Sequence, residues 1–355
     1  MSSGDFDDAL LESRDLSPRA DDLLRSLASA GSRVRREAAG STDEHPAAGF
    51  EAGLRPRGVI VVGPEARLVR AVLEPVCPVP FMAWPHPGLP AWVGALDLVV
   101  VMAPGGSDPA LVSSTAEAVR RGAAVVVAAQ QGSTVAERAG SRTTLTLPLS
   151  TGDALACVVQ VLSVLHQLGL GPLVVPEQVA DAADLVAEES SPHRDLTTNP
   201  AKELAVALAD AQPLVWGGTV LAARASRRVA EAIRRATGRA ALAADASELL
   251  PVIEGVRERD MFADPFEDGA QPRPVLVVLD DPAGDAQVRQ DRSTLLASAQ
   301  AHDVRVCLVS AVGEQAGDLQ QPNAMETSAM ETYVTLLQKG LYGAAWLGIG
   351  LGTVG

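Results

Sequence analysis

Residues 97–134, DLVVVMAPGGSDPALVSSTAEAVRRGAAVVVAAQQGST, constrain the fold more than any other stretch of the chain. Residues 98–103 are an apolar, Val-rich run too short for a globular helix, closed by the turn Pro104-Gly105-Gly106-Ser107. Asp108 follows as a helix N-cap, with Pro109 at the first helical position, where a missing N–H costs nothing. The predicted helix ends at Arg120-Arg121 before Gly122, a residue suited to C′ with basic charge on the last turn. Residues 123–129 form a second buried run, and Gln131-Gly132-Ser133-Thr134 turns the chain into another short helix. Apolar strands on both sides of a helix predict a right-handed βαβ unit in a parallel sheet. Such units bind ligands beyond the carboxyl ends of their strands, against helix N-termini. The loops 104–108 and 130–134 occupy that position.

The remainder divides around this unit. Residues 1–55 read as an appendage. Leu23, Leu24, Leu27, Ala30 and Val34 make one apolar stripe on a helix over 19–37, and a polar loop follows at 39–54. Residues 56–170 read as a first lobe, opening on the strand 58–63, where Pro64 and Glu65 start the next helix. A proline-dense stretch, 75–90, holds a short strand at 79–83 and a surface loop with Trp84 and His86. An edge strand at 143–147 and an amphipathic helix at 153–168 complete this lobe, with His166 read as a satisfied core histidine. Residues 171–210 supply two bridging helices, near 177–188 and 199–210.

A second lobe, 211–355, repeats the pattern. Its elements are a strand at 214–216, the turn Gly217-Gly218-Thr219, an arginine-rich helix at 221–236, a strand at 275–279, a helix at 285–302 and a strand at 304–309. Residues 257–273 and 313–323 are polar loops. The apolar C-terminal run has only about a dozen continuous apolar residues after Lys339, short of the ~20 that cross a bilayer, so a buried helix is expected. The predicted architecture is α/β: two tandem lobes, each a parallel sheet flanked by helices, plus an N-terminal helical arm.

Composition narrows the function. A net charge of −15 argues against nucleic acid and anionic membranes as partners. Cys77, Cys157 and Cys307 are far apart and odd in number, which supports neither a disulfide framework nor a metal site. No cofactor motif occurs. The acidic start, MSSGDFDDALL, lacks a cationic n-region and an apolar h-region, which predicts a cytoplasmic protein.

Two tandem lobes with polar loops at adjacent strand ends resemble the sugar isomerase (SIS) domain, and more closely the bifunctional glucose-6-phosphate/mannose-6-phosphate isomerases, over residues 55–350. The stretches that carry the resemblance are 97–134, TNPAKELA at 198–205, the Trp216-Gly217-Gly218 turn and the terminal helix. The family's phosphate loop, Ser-x-Ser-Gly-x-Thr, falls on Ala103 to Asp108 and keeps its Gly as Gly106; the next loop, Gly132-Ser133-Thr134-Val135-Ala136, matches better. The resemblance implies a small phosphorylated sugar as ligand, held by Gly105, Gly106, Ser107, Ser133, Thr134, Gly217, Gly218, Thr219 and Arg224, with a homodimer as the candidate assembly. It also implies aldose–ketose isomerisation through an enediol, in which a Glu moves the proton and a His opens the ring. The corresponding positions are Arg234 to Gly238 and Leu249-Leu250-Pro251, which carry neither group. Glu248 and Glu254 remain as weak catalytic candidates. The Gly217-Gly218-Thr219 turn has no acid near it in sequence, so it is expected to suit an anion better than the Asp108 loop. Two function classes stay open: an isomerase of altered activity, or a carbohydrate-derivative-binding module that regulates or scaffolds a partner.

Overall fold

The computed structural model describes residues 5–40, 55–256, 272–311 and 328–354. The chain forms two compact units, one of Ser29–Asp181 and one combining Met1–Ala28 with Ala182–Gly355. The N-terminal stripe is two helices rather than the single one expected. After α1 (Asp8–Glu12), α2 (Pro18–Ala28) stops at Ser29, and α3 (Ala30–Ala39) starts anew. Ser29, Gly31 and Ser32 are poor helix formers, which explains the break in an otherwise continuous apolar face.

The unit Ser29–Asp181 is built on five parallel strands: β1 (Val59–Val62), β2 (Phe81–Trp84), β3 (Leu98–Ala103), β4 (Ala124–Gln130) and β5 (Thr144–Leu149), in the order β2-β1-β3-β4-β5. The central pair has the expected form, with Val99 opposite Val125 and Val101 opposite Val127, so the loops after β3 and β4 share one rim. Helices α4 (Ala66–Leu73), α5 (Pro109–Arg120), α6 (Thr134–Arg138) and α7 (Ala154–Gln167) connect or follow the strands. Ile60, Val62, Val99, Val101, Val125 and Val127 pack on one face with Leu111, Ala118 and Val135. Val61, Val100 and Val126, pointing the other way, are equally buried. A sheet covered on both faces needs apolar residues at every position, which is why these strands show no alternation. β5 does alternate: Leu147 and Leu149 are buried while Thr146 and Pro148 are exposed, as suits an edge that can tolerate proline.

The other unit continues through α8 (Pro176–Glu189), a 3-10 turn (Leu196–Thr198) and α9 (Pro200–Leu208) into a second sheet. Asn199 caps α9, accepting from the Ala201 and Lys202 amides at 3.1 Å each, and Pro200 sits at the first helical position. Then come β6 (Ala211–Gly217), α10 (Val220–Thr237), β7 (Leu242–Ala243), α11 (Ala246–Glu254), β8 (Arg273–Asp280), α12 (Ala286–Ala301), β9 (Arg305–Ser310) and α13 (Ala329–Gly350). These strands are also all parallel, in the order β7-β6-β8-β9. β7 and α11 are not foreseen from the sequence, because a two-residue strand has no periodicity to detect. The loops expected at 39–54, 257–273 and 313–323 fall almost wholly outside the described residues.

α13 opens with a reciprocal cap, Ser328 with Glu331. Its glycines serve close packing: a Cβ on Gly340 would lie 2.2 Å from Val229 of α10, and one on Gly343 would lie 2.5 Å from Leu204 of α9. No helix among the described residues is long and apolar enough to cross a membrane.

Candidate functional site

The carboxyl rim of β3 and β4 gathers five of the expected ligand residues: Gly105, Gly106, Ser107, Ser133 and Thr134. The two loops are seated on one another through Gly106. Its N–H donates to the Ala103 carbonyl at 2.9 Å, and its own carbonyl accepts from the Val135 amide at 3.3 Å. Gly106 has φ +70, and a Cβ there would stand 2.6 Å from the Ser133 Cβ. Glycine is therefore required on both counts. Gly106→Ala is expected to lower stability by roughly 1–3 kcal/mol, because strain and displacement of Ser133 add. Thermal unfolding of the variant checks this; an unchanged midpoint would mean that the loops are not seated in this way.

Around that seat, Ser133 Oγ accepts from the Ala136 amide at 3.4 Å and caps α6. Ser107 Oγ donates to the Gly105 carbonyl at 3.5 Å, at the limit of a hydrogen bond. Gly105, Ser107 and Thr134 are exposed. Asp108 is exposed too, its Oδ1 accepting from the Ala110 amide at 2.8 Å as the cap of α5. A helix N-terminus carries about half a positive charge, and Asp108 meets it from within the chain.

A third turn on the same rim has no forewarning in the sequence. After β5, Ser150 and Thr151 donate their amides to the carboxylate of Glu37 on α3, at 2.9 Å for Ser150 N to Oε2. Glu37 is 2% exposed. The neighbouring Arg33 pairs with Asp153 at 2.8 Å, and Arg35 pairs with Glu177 at 2.6 Å. The partners of Glu37 lie 113 and 114 residues away, beyond reach of any local pattern.

In the second sheet the strand order reverses between β6 and β8, where open parallel sheets place ligands. Gly217 and Gly218 lie at that point. A Cβ on Gly217 would meet the Ala222 backbone at 2.3 Å, so the strand end fits tightly against α10. Thr219 caps α10, its Oγ1 accepting from the Ala222 amide at 3.1 Å. The expectation of an acid-free turn is corrected here. Thr219 Oγ1 donates to Asp281 Oδ2 at 2.5 Å, and Asp281 arrives from the end of β8, 62 residues away. Both helix starts thus have an internal carboxylate. Arg224 is half-buried on α10, and Arg227 approaches Asp245 at 3.9 Å on the surface.

Glu248 and Glu254 are both exposed on α11. Six residues apart, they are separated by about 9 Å along the helix axis and do not form an acid–base pair. His166 is satisfied by the Gly171 carbonyl at 3.1 Å from Nδ1, as expected. His86 is exposed after β2, with its ring edge-on to Trp84 at 5.0 Å. Cys77, Cys157 and Cys307 are free thiols, and burial pushes the Cys157 thiol far above its ordinary pKa. Among the described residues no group of three or more His, Cys, Asp or Glu side chains could hold a metal ion.

Set against solved structures, the chain is similar to the C-terminal domain of glucosamine-fructose-6-phosphate aminotransferase from Francisella tularensis, with a TM-score of 0.62 at 11% identity, covering 93% of this chain and 96% of that one. The fold is that of the SIS phosphosugar isomerases. A proposed tagatose-6-phosphate ketose/aldose isomerase from Clostridium novyi gives a TM-score of 0.56 at 13% identity, over 93% of this chain and 86% of that one. Glucosamine-6-phosphate deaminase from Thermotoga maritima gives 0.52 at 10% identity, over 92% and 94%. No family model matches the sequence, and no curated protein sequence matches it. At such identities the likeness is one of fold, and the bifunctional glucose-6-phosphate/mannose-6-phosphate isomerases are not singled out among these structures.

Proposed function

We propose that this chain is a sugar-phosphate isomerase-type protein that holds a carbohydrate derivative on the carboxyl rim of β3 and β4, with weak or altered turnover. The observation that supports it is the seating of Gly106 against Ser133, which joins two strand-end loops into one polar surface. If catalysis persists, it is an intramolecular aldose–ketose isomerisation interconverting glucose or mannose 6-phosphate with fructose 6-phosphate. That chemistry needs a base at the C1–C2 hydrogens and an acid at the ring oxygen. Glu248 and Glu254 are exposed candidates separated by about 9 Å along the axis of α11, so turnover is expected to be low.

A second reading, a carbohydrate-derivative-binding regulatory or scaffolding protein without catalysis, is favoured by Asp108 and Asp281. A phosphate about 5 Å from either carboxylate meets a repulsion of about 3 kcal/mol per unit charge at an effective dielectric of 20. Exposure and salt reduce this. Asp108→Thr keeps a capping oxygen, so stability should change by less than ~1 kcal/mol. Calorimetric titration with glucose 6-phosphate should then show tighter binding to the variant than to the wild type. Tight binding by the wild type at this rim, unchanged in Asp108→Thr, would show that the carboxylate does not control phosphate entry.

A further inference from the structure

A cavity of about 410 Å³ in the unit built on the second sheet lies among α2, α10 and α13, and no strand-end loop residue lines it. That volume falls within the roughly 300–1,000 Å³ of small-molecule pockets. Its walls are aliphatic, with Leu23 and Leu27 on α2, Ala232 on α10, Leu341 and Ala344 on α13, and Val354 beyond it. Elsewhere α10 and α13 mesh as closely as Gly340 against Val229, so the space is local to the alanines. Ser17 Oγ donates to the Val354 carbonyl at 3.1 Å and anchors the start of α2 at the cavity edge.

The charged groups lining the cavity are Arg19, Arg228, Arg235 and Glu231. Glu231 pairs with Arg228 at 2.9 Å and with Arg235 at 2.6 Å, so one carboxylate faces two guanidinium groups. Arg19 is exposed and makes no ion pair among the described residues. Glu231 is the one acid among the lining residues, beside the guanidinium groups of Arg19, Arg228 and Arg235.

We propose that this cavity is a binding site for a small amphipathic anion, an aliphatic chain ending in one carboxylate, with its chain between α10 and α13 and its head at Arg19 and Arg235. Apolar walls with a few convergent charged groups at the mouth are what such a ligand requires. Guanidinium is also the side chain best matched to a carboxylate.

The test is calorimetric titration of the full chain with decanoate, and with decanol as the uncharged counterpart. Saturable binding of one decanoate per chain, with decanol much weaker, is expected. Arg19→Gln, on the exposed face of α2, should weaken decanoate roughly tenfold, the loss of one charge-assisted contact. Ala232→Leu should fill the cavity and abolish binding. Absence of saturable decanoate binding overturns the proposal, and so does equal binding of decanol. Affinity unchanged in both variants would equally overturn it. A concentration-dependent dimer lost in Ala232→Leu, with no decanoate binding to the wild type, would overturn it in favour of a second copy of the chain.

Discussion

Replacing Lys202 with alanine is expected to cost roughly 3–5 kcal/mol of folding stability, more than either Gly106→Ala or Asp108→Thr. Lys202 is fully buried at the first turn of α9. Its Nζ donates to the Arg194 carbonyl at 2.7 Å and to the Pro192 carbonyl at 3.4 Å, and lies 4.8 Å from the centre of the Trp346 ring. Glu12 on α1 is 3.8 Å away. Truncation to alanine removes the long stem and leaves a cavity beside Trp346. It also leaves two carbonyls short of a donor. Lys202→Met retains most of the volume and should cost markedly less, because it removes a charge that burial penalises. Urea unfolding of the two variants checks the order; equal stability of wild type and Lys202→Ala would contradict it.

The same site gives a pH signature. Desolvation lowers the Lys202 pKa, opposed by Glu12 and Asp195. With the folded-state value below the unfolded one, the unfolded chain binds more protons between the two. Stability therefore rises with pH through that interval. Wild type should gain on Lys202→Met as pH climbs toward the ordinary lysine value. Tyr342 works in the opposite sense: burial raises its pKa to about 12, so stability is lost as pH rises from the ordinary tyrosine value of about 10 through that one. The gain assigned to Lys202 is read below that range.

The strands and helices that set the fold were legible because each carries a local signal. Residues 98–103 and 124–129 are apolar throughout, as strands buried on both faces must be. Asp108-Pro109 announces a helix start by capping chemistry and caps α5 in the structure, and Asn199 and Asp285, the expected first residues of two further helices, are the caps of α9 and α12. The site was less legible for a physical reason. Gly106 and Ser133 could be paired from sequence because their loops follow adjacent strands. Asp281 could not be placed at Thr219, nor Glu37 at Ser150, because those contacts come from pairing across a sheet rim and from an arm folding back. A lone acid between Arg36 and Ala38 reads as a solvated helical position until tertiary structure buries it.

We propose that the strand-end rim of this SIS-type fold holds a sugar derivative and that Glu248 and Glu254, exposed on α11, do not supply the paired acid–base groups of an efficient isomerase. The most direct measurement is a coupled assay of the purified full chain, following isomerisation of fructose 6-phosphate and mannose 6-phosphate. General acid–base groups typically contribute 10²–10⁴-fold each. Turnover is therefore expected at least ~10²-fold below the ~10 s⁻¹ of an ordinary enzyme. Isomerisation of either sugar phosphate at about 10 s⁻¹ would contradict the account, since catalytic groups would then have to stand somewhere other than Glu248, Glu254 and the two rims.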